Sequence, residues 1–292
     1  MRGRLAGDRL GHLADRLGFS AEDRADLLAG APTLLADEAA VKRITDRVVA
    51  LEDAVGNFTE QPLFETEPGG GAAGREAMLA LLAATDSVRA LHRSRGITEE
   101  DSWRALSDLG QQVAVHRLVF GEFGLHTQNW LVTAWSGALY WLGRLQFNLV
   151  RPPSLGRWVL STHIPRSGSL APELVDASFA RAKDFFETHF PDHPVAQFHC
   201  RSWLLDPGLS ALGDSNVARF AARWTLIGEP EDGDADVEFF VFRTRARPPH
   251  HELVPHSSLE RVITERWADG GHWGLCEGVI DIDEAVPARN GA

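Results

Sequence analysis

Hydrophobic residues recur at helical spacing through the first 125 residues. In the segment 41–58, Val41, Ile44 and Val48 lie three or four positions apart, so they share one face of a helix. Two further helices are predicted to begin at pairs that resemble capping boxes, Ser20 with Asp23 and Thr98 with Asp101. No strand pattern interrupts this half of the chain, which is therefore predicted to be helical.

From residue 126 onward the pattern changes to alternation with a period of two. Leu145, Phe147 and Leu149 are predicted to line one face of a strand, and the other face carries Arg144, Gln146 and Asn148. Further strands are predicted at 157–165, 195–205 and 272–282, with a hairpin that joins 224–228 to 237–245 around an acidic loop. The aromatic-rich segment 129–143 fits either a buried helix or the approach to a strand.

A long helix is predicted from Pro172 to His189. Proline is favoured in the first turn of a helix, because its missing N–H has no intrahelical partner there. The inner stripe of this helix is predicted to be Val175, Ser178, Phe179, Ala182, Phe185 and Phe186. A capping box of Ser257 with Glu260 predicts one more helix before the last strand.

The order of strand, loop, helix, strand, short helix and hairpin predicts a mixed sheet flanked by helices. The fold class is therefore α/β (α+β), with a helical domain over residues 1–125 followed by a mixed-sheet domain over 126–284. Residues 285–292 are predicted to be a flexible tail.

Composition and charge exclude several classes of protein. The 292 residues carry a net charge of −12, so non-specific binding to nucleic acid is not expected. No apolar run reaches the roughly 18 residues that a membrane span needs. The first residues do not resemble a secretory signal, and we expect a cytoplasmic protein without a membrane partner. Only two cysteines are present, so neither a disulfide framework nor a four-cysteine zinc site is predicted, and no metal is expected.

The loop between the strand 157–165 and the helix at Pro172 is the strongest candidate site. Backbone N–H groups near Gly168 and the positive end of the helix dipole make such a loop a natural anion site. Ser167 and Ser169 add hydroxyl donors, and Arg166 can pair with a phosphate. The alternative is an ordinary turn from strand to helix.

Four segments of the second half resemble one known superfamily. They are YWLGRLQFNL, HIPRSGSLAPELVDASFARAKDFF, CRSWLLDPGL and SNVARF. Together they resemble the GNAT acyltransferases, and more closely bacterial proteins that join a helical N-terminal domain to a GNAT-like C-terminal acyltransferase domain. The resemblance spans most of the chain and implies the same two-domain fold, with the helical domain closing over the substrate site.

The resemblance implies that the loop binds the pyrophosphate of acyl-coenzyme A, the co-substrate. The residues implied are Arg166, Ser167, Gly168, Ser169 and Leu170, with Asn216 at the start of SNVARF. Two positions depart from the superfamily pattern when it is aligned on Gly168. Pro165 offers no N–H, and the bulky side chain of Leu170 hinders a close approach to the backbone.

The resemblance also implies that the acyl thioester lies in a wedge between the strands 157–165 and 195–205. At that wedge His163 is the candidate base for removing a proton from the amine. Cys200, Ser202 and Asp206 are predicted near the reacting centre, and Cys200 is placed closer to His163 than to His199.

The general acid of the superfamily is often a tyrosine that ends the SNVARF-like segment. Arg223 and Trp224 stand in that region here, and Tyr140, the only tyrosine, lies in another segment.

Three functions remain open. The first is an acyltransferase that moves an acyl group from acyl-coenzyme A, or from an acyl carrier protein, to a small-molecule amine. The second is a catalytically inactive module with this fold that binds an acyl thioester or a partner protein, as the missing tyrosine and the altered loop would allow. The third is thioester hydrolysis through Cys200.

Overall fold

The computed structural model describes residues 2–6, 8–59, 61–66, 71–245 and 248–286. By its internal contacts the chain forms two compact units. The first comprises Met1–Trp141 with Asn148–Val150, and the second comprises Leu142–Phe147 with Arg151–Ala292. Most of the predicted tail, residues 287–292, lies outside the described residues.

The first unit is helical up to residue 135, as predicted for residues 1–125. Its helices are α1 (Arg9–Arg16), α2 (Ala21–Ala36), α3 (Glu38–Ala54), α4 (Gly71–Ser94), α5 (Glu99–Leu106), α6 (Asp108–Phe120) and α7 (Gln128–Trp135). A short 3-10 helix, Arg2–Leu5, precedes them. Helix α4 is central to this unit, because every residue from Glu76 to Thr85 is buried.

The predicted caps of the first unit are confirmed. The hydroxyl of Ser20 accepts a hydrogen bond from the amide of Asp23 at 3.0 Å, and that of Thr98 accepts one from the amide of Asp101 at 3.0 Å. Each bond satisfies one of the helix donors that have no partner within the helix. The predicted apolar face of α3 is also confirmed in part, since Ile44 and Val48 are buried.

The strands form one six-stranded mixed sheet. They are β1 (Leu139–Leu142), β2 (Leu145–Val150), β3 (Val159–His163), β4 (Gln197–Ser202), β5 (Thr225–Asp232) and β6 (Gly274–Asp281), in the order β1-β2-β3-β4-β6-β5. Strand β4 is parallel to β3 and antiparallel to β6, and β5 is antiparallel to β6. The segment 129–143 forms both predicted alternatives in turn, because it runs through α7 into β1.

The helices of the second unit are α8 (Pro172–His189), α9 (Asn216–Ala221), α10 (Asp234–Phe240), α11 (Ser258–Ala268) and α12 (Ile282–Ala285). Short 3-10 helices occupy Trp203–Leu205, Pro207–Leu212 and His250–Glu252. None of the helices in the described part of the chain combines the length and apolar character needed to cross a membrane.

Helix α8 begins and ends where the sequence predicted, and its six buried residues are those of the predicted stripe. The ring of Phe179 on this helix lies 4.6 Å from that of Phe198 on β4 and 5.8 Å from that of Phe147 on β2, measured between ring centroids. These contacts pack α8 against one face of the sheet. Along the chain, α8 begins directly after the loop that leaves β3.

Both faces of strand β2 are buried, because Gln146 and Asn148 are only 3% and 2% exposed. One prediction about the sheet is wrong. The predicted hairpin does not form, because β5 extends through the acidic segment and the following residues fold into α10. Tertiary packing overrides the strand propensity there: Val237 is completely buried, and the carboxylate of Asp234 accepts hydrogen bonds from other elements of the unit.

Candidate active site

The site is built where the parallel strands β3 and β4 stop pairing. Their partners are Leu160 with Phe198 and Ser161 with His199, after which β3 continues to His163. Strand β4 stays paired with β6 as far as Ser202, opposite Cys276. The ends of β3 and β4 thus leave an opening between two neighbouring strands, at the point where the loop to α8 begins.

The loop exposes the predicted phosphate-binding residues. Arg166, Ser167, Gly168 and Ser169 are exposed, whereas Pro165 and Leu170 on either side are buried. Gly168 adopts a left-handed backbone conformation with φ of 73°, and a Cβ at this position would meet no atom within 4 Å. The glycine is therefore used for its backbone conformation, and open space lies beside it.

Asn216 lies next to this loop, as expected for a residue of the same site. Its side-chain amide donates a hydrogen bond to the hydroxyl of Ser169 at 3.1 Å. The same hydroxyl accepts a hydrogen bond from the amide of Ala171 at 3.1 Å. These two bonds join the first residue of α9 to the residues that precede α8.

Two arginines, Arg166 and Arg243, give the loop a positive charge. Desolvation, followed by the nearby guanidinium of Arg243, lowers the pKa of Arg166 from its ordinary value, while the charge of Glu260 opposes the shift. An anion bound at the loop would face the N-terminus of the 18-residue helix α8, where the helix dipole favours negative charge.

One residue under the loop was not predicted as part of the site. Arg144, in the turn between β1 and β2, donates from Nε to the carbonyl of Ser169 and from Nη1 to the carbonyl of Pro165, both at 2.9 Å. The sequence placed Arg144 on the polar face of a strand, and no local motif connects it to a loop more than twenty residues later.

A hydrogen-bonded histidine occupies the sheet face opposite α8. Nδ1 of His199 lies 3.2 Å from the hydroxyl oxygen of Ser161, and its Nε2 lies 2.8 Å from the carboxylate of Glu277 on β6. Glu277 also accepts a hydrogen bond from the hydroxyl of Ser154. His199 is only 5% exposed, so the carboxylate acts on it with little screening by water.

His163 shares this face, because residues 161 and 163 of a strand point to the same side. Burial, followed by the charge of His199, lowers the pKa of His163 to about 3. The imidazole is therefore neutral near pH 7, and its protonated form is strongly disfavoured. Sequence reasoning selected His163 and missed the trio of Ser161, His199 and Glu277, whose residues come from three strands.

Cys200 and His163 point to opposite faces of the sheet, although the sequence placed Cys200 closer to His163 than to His199. Ser161 lies opposite His199 in the β3–β4 register, so His163 points to the face of His199 and Cys200 points to the other face, with Phe198. Cys200 is completely buried, and burial raises the pKa of its thiol. Its burial and its raised pKa both disfavour Cys200 as a nucleophile.

The carboxylate of Asp206 is engaged in hydrogen bonds within the chain. It is 3% exposed and accepts hydrogen bonds from Gly208 N at 2.7 Å, Arg266 Nη1 at 2.7 Å and Gly274 N at 2.6 Å. All of its bonds stabilise the chain itself. Ser202 ends β4 beside the opening, and its hydroxyl accepts a hydrogen bond from the amide of Leu204 at 3.1 Å.

The structure offers no tyrosine as a general acid. Tyr140 is fully buried, its hydroxyl donates to the carbonyl of Gly137 at 2.8 Å, and burial raises its pKa. In the SNVARF region, Trp224 is 6% exposed and Arg223 forms an ion pair with Asp176. Among the described residues, no group of three or more histidine, cysteine or acidic side chains could hold a metal ion.

Two family models match almost the whole chain. The N-acyltransferase N-terminal domain matches residues 8–137, and the GNAT-like C-terminal domain matches residues 139–280. No curated protein sequence matches the chain significantly.

Solved structures give more detailed comparisons. A mutant acyltransferase in complex with octanoyl-CoA is 33% identical, with a TM-score of 0.87 over 94% of this chain and 88% of that chain. An acyltransferase in complex with decanoyl-CoA and teicoplanin is 34% identical, with a TM-score of 0.85 over 93% of this chain and 87% of that chain. A complex of an acyltransferase with decanoyl-CoA alone is also 34% identical, with a TM-score of 0.84 over 94% of this chain and 88% of that chain.

Proposed function

Since the chain belongs to the acyltransferase family in which an N-acyltransferase N-terminal domain precedes a GNAT-like C-terminal domain, we propose that it transfers an acyl group from acyl-coenzyme A to a small-molecule amine. The family predicted from the sequence is confirmed. The observation that carries the proposal is the exposed loop Arg166–Ser169, which joins the opening between β3 and β4 to the N-terminus of α8.

The donor would be held by its pyrophosphate at this loop. Backbone amides, the hydroxyls of Ser167 and Ser169 and the guanidinium of Arg166 supply donors for the phosphate oxygens. Asn216 supports the loop through Ser169. The pantetheine arm would then enter the opening between β3 and β4, where backbone N–H groups can polarise the thioester carbonyl.

The relatives bind octanoyl-CoA and decanoyl-CoA, and medium-length linear acyl groups are therefore the first donors to test. A relative also binds teicoplanin, which is therefore the first acceptor to test. The net charge of −12 suits a neutral or cationic acceptor. An acyl carrier protein is the second candidate donor, because its thioester would also reach the opening on a pantetheine arm.

We assign the role of base to His199 in place of His163. The carboxylate of Glu277 at Nε2 favours the tautomer with its proton on that nitrogen, which leaves Nδ1 as the basic atom. Glu277 also stabilises the imidazolium that forms when Nδ1 takes up a proton. The pKa of His163 is lowered to about 3, which makes His163 a weak base near neutral pH.

The reaction then balances without a metal or a further cofactor. The ammonium group of the acceptor loses a proton to Nδ1 of His199, directly or through the hydroxyl of Ser161, and the neutral amine nitrogen attacks the thioester carbonyl carbon. The carbon–sulfur bond breaks, and the coenzyme A thiolate takes up the proton that the nitrogen releases as the amide forms. Ser202 remains at the opening as a residue that can contact the pantetheine arm.

Ligand binding and turnover test the proposal separately. Coenzyme A, octanoyl-CoA and decanoyl-CoA at ~100 times their dissociation constants should each stabilise the fold by about 2.7 kcal/mol in a thermal-shift assay. Thiol release that depends on an added amine then measures acyl transfer. Stabilisation without turnover over a broad amine panel would favour the inactive binding module, and no shift with any thioester would overturn the acyl-CoA donor.

Three matched substitutions identify the base. His199→Gln should lower kcat by about 10²-fold or more without changing coenzyme A binding, and Glu277→Gln should lower it by a smaller factor. His163→Gln is the control on the same face and should change kcat by less than about tenfold. The opposite ranking of the two histidine variants would return the base to His163.

A further inference from the structure

Arg144 connects the two ends of the exposed loop. Its guanidinium donates to the carbonyl of Pro165 and to the carbonyl of Ser169, each at 2.9 Å. Pro165 and Ser169 lie at the two ends of the predicted phosphate-binding loop, so one planar guanidinium holds both ends of this loop. The planar fork of arginine is suited to this, because its donors keep a fixed geometry relative to one another.

The backbone of Arg144 is itself fixed to α8. Its amide donates to the hydroxyl of Ser178 at 2.7 Å, and that hydroxyl donates to the carbonyl of Leu174 at 2.8 Å. Gly143 before it has φ of 81°, and a Cβ there would come within 2.7 Å of the Ser178 oxygen. The turn therefore needs glycine to bring Arg144 this close to the helix.

The two hydrogen bonds that the loop carbonyls accept from Arg144 also determine the direction of the backbone amides that follow these carbonyls. In a planar trans peptide, the carbonyl and the following N–H point in opposite directions. With the carbonyls of Pro165 and Ser169 turned toward Arg144, the amides of Arg166 and Leu170 point away from it. Within the described residues, neither of these two amides has a hydrogen-bond acceptor. The contribution of Leu170 to the site thus comes from its backbone, while its side chain is buried.

Two backbone carbonyls compensate the charge of Arg144. The side chain is half-buried, and burial lowers its pKa from the ordinary value. No acidic group in the described ranges lies within ion-pair distance of its guanidinium. An anion bound on the loop would therefore gain from this positive charge.

We propose that Arg144 is a positioning residue for the pyrophosphate of the acyl donor, which aims the amides of Arg166 and Leu170 at the phosphates and adds positive charge beneath them. This inference rests on the proposed function, because it assumes that the loop receives coenzyme A. It assigns Arg144 no contact with the reacting atoms.

The test compares Arg144→Met and Arg144→Lys with the control Arg151→Met. Arg151 is an exposed arginine that donates to the carbonyl of Gly156, in a different loop. Calorimetric titration with coenzyme A should give a dissociation constant raised at least about tenfold in Arg144→Met. The increase should be smaller in Arg144→Lys, because an ammonium keeps the charge but not the fork, and Arg151→Met should match the wild type.

A second donor separates positioning from a general structural role. S-octanoyl-pantetheine carries the thioester and lacks the pyrophosphate, so Arg144→Met should use it at the wild-type rate. With octanoyl-CoA the same variant should show a raised KM and a kcat within about twofold of the wild type. Equal loss with both donors would overturn the positioning role and leave Arg144 as a purely structural residue.

The two hypotheses fail in different ways. Wild-type protein that does not bind coenzyme A would overturn the proposed function, and the role of Arg144 with it. Wild-type binding together with unchanged binding by Arg144→Met would overturn only the role of Arg144. If Arg144→Met does not fold, the same comparisons with Arg144→Lys decide the matter.

Discussion

Replacing Asp206 with alanine should destabilise the second unit without removing a catalytic group. The carboxylate joins three elements: the 3-10 helix that begins at Pro207, the helix α11 through Arg266, and the start of β6 through Gly274. The alanine variant leaves two backbone amides and one guanidinium without their acceptor in a region where the carboxylate is 3% exposed.

The magnitude follows from the burial of each partner. Removing one member of a buried ion pair costs about 3–5 kcal/mol, because the other charge loses its partner. The side chain of Arg266 is 35% exposed and can recover some hydration, which places the expected loss near the lower end of this range, at about 3 kcal/mol. With a urea m-value of about 2 kcal/mol/M, the midpoint should fall by about 1.5 M.

Urea unfolding followed by tryptophan fluorescence measures this loss. Trp203, Trp267 and Trp273 belong to one buried cluster of the second unit, and the guanidinium of Arg266 lies 4.5 Å from the Trp273 ring centroid. These three of the nine tryptophans contribute to the emission, so its change on unfolding includes this region. Asp214→Ala, at an exposed carboxylate of the same unit, is the control and should keep the wild-type midpoint.

The unfolding midpoint and the rate of acyl transfer together decide whether Asp206 is a structural residue. If Asp206→Ala unfolded at the wild-type midpoint and lost acyl transfer, the carboxylate would be acting on substrate, as the sequence predicted. A lower midpoint with wild-type kcat at a temperature where the variant is folded would confirm the structural role.

Two further predictions concern the other corrected or reassigned residues. His163 stays neutral in the folded protein down to a pKa of about 3, whereas in the unfolded chain it takes up a proton below about pH 6.5, so it binds more protons when unfolded between these values. The free energy of unfolding should fall as pH decreases through this window. Urea titrations at several pH values should show a shallower fall in His163→Gln, by up to about 1.4 kcal/mol per pH unit. An identical slope in the variant and the wild type would contradict the assigned pKa. Cys200 should resist a thiol reagent in the folded protein and react in urea, since burial raises its pKa, and Cys200→Ala should keep acyl transfer within about threefold. Rapid labelling of the folded protein at Cys200, or loss of thiol release in the variant, would restore the thiol as a candidate nucleophile.

Local sequence patterns are sufficient to predict helix α8 and the loop that precedes it. Helix α8 is predictable from Pro172 to His189, because its first turn, its apolar stripe and its end all lie within eighteen consecutive residues. The exposed stretch from Arg166 to Ser169 is predictable for the same reason, since it lies between a strand and a helix that both have clear patterns. Local patterns did not predict α10. Its strand-like sequence forms a helix because Val237 is buried against other elements of the unit.

The two-part architecture and the place of the candidate loop follow from local patterns in the sequence, because periodicity, capping and turn residues act between near neighbours in the chain. Long-range packing determines which groups meet at the site. His199 faces Ser161 through the parallel β3–β4 register and reaches Glu277 from β6, and a register shift of one residue would reverse these faces. Arg144 meets its loop across more than twenty residues by the same kind of long-range packing. Such contacts depend on how distant elements pair and pack, and that information is not contained in any local stretch of the chain.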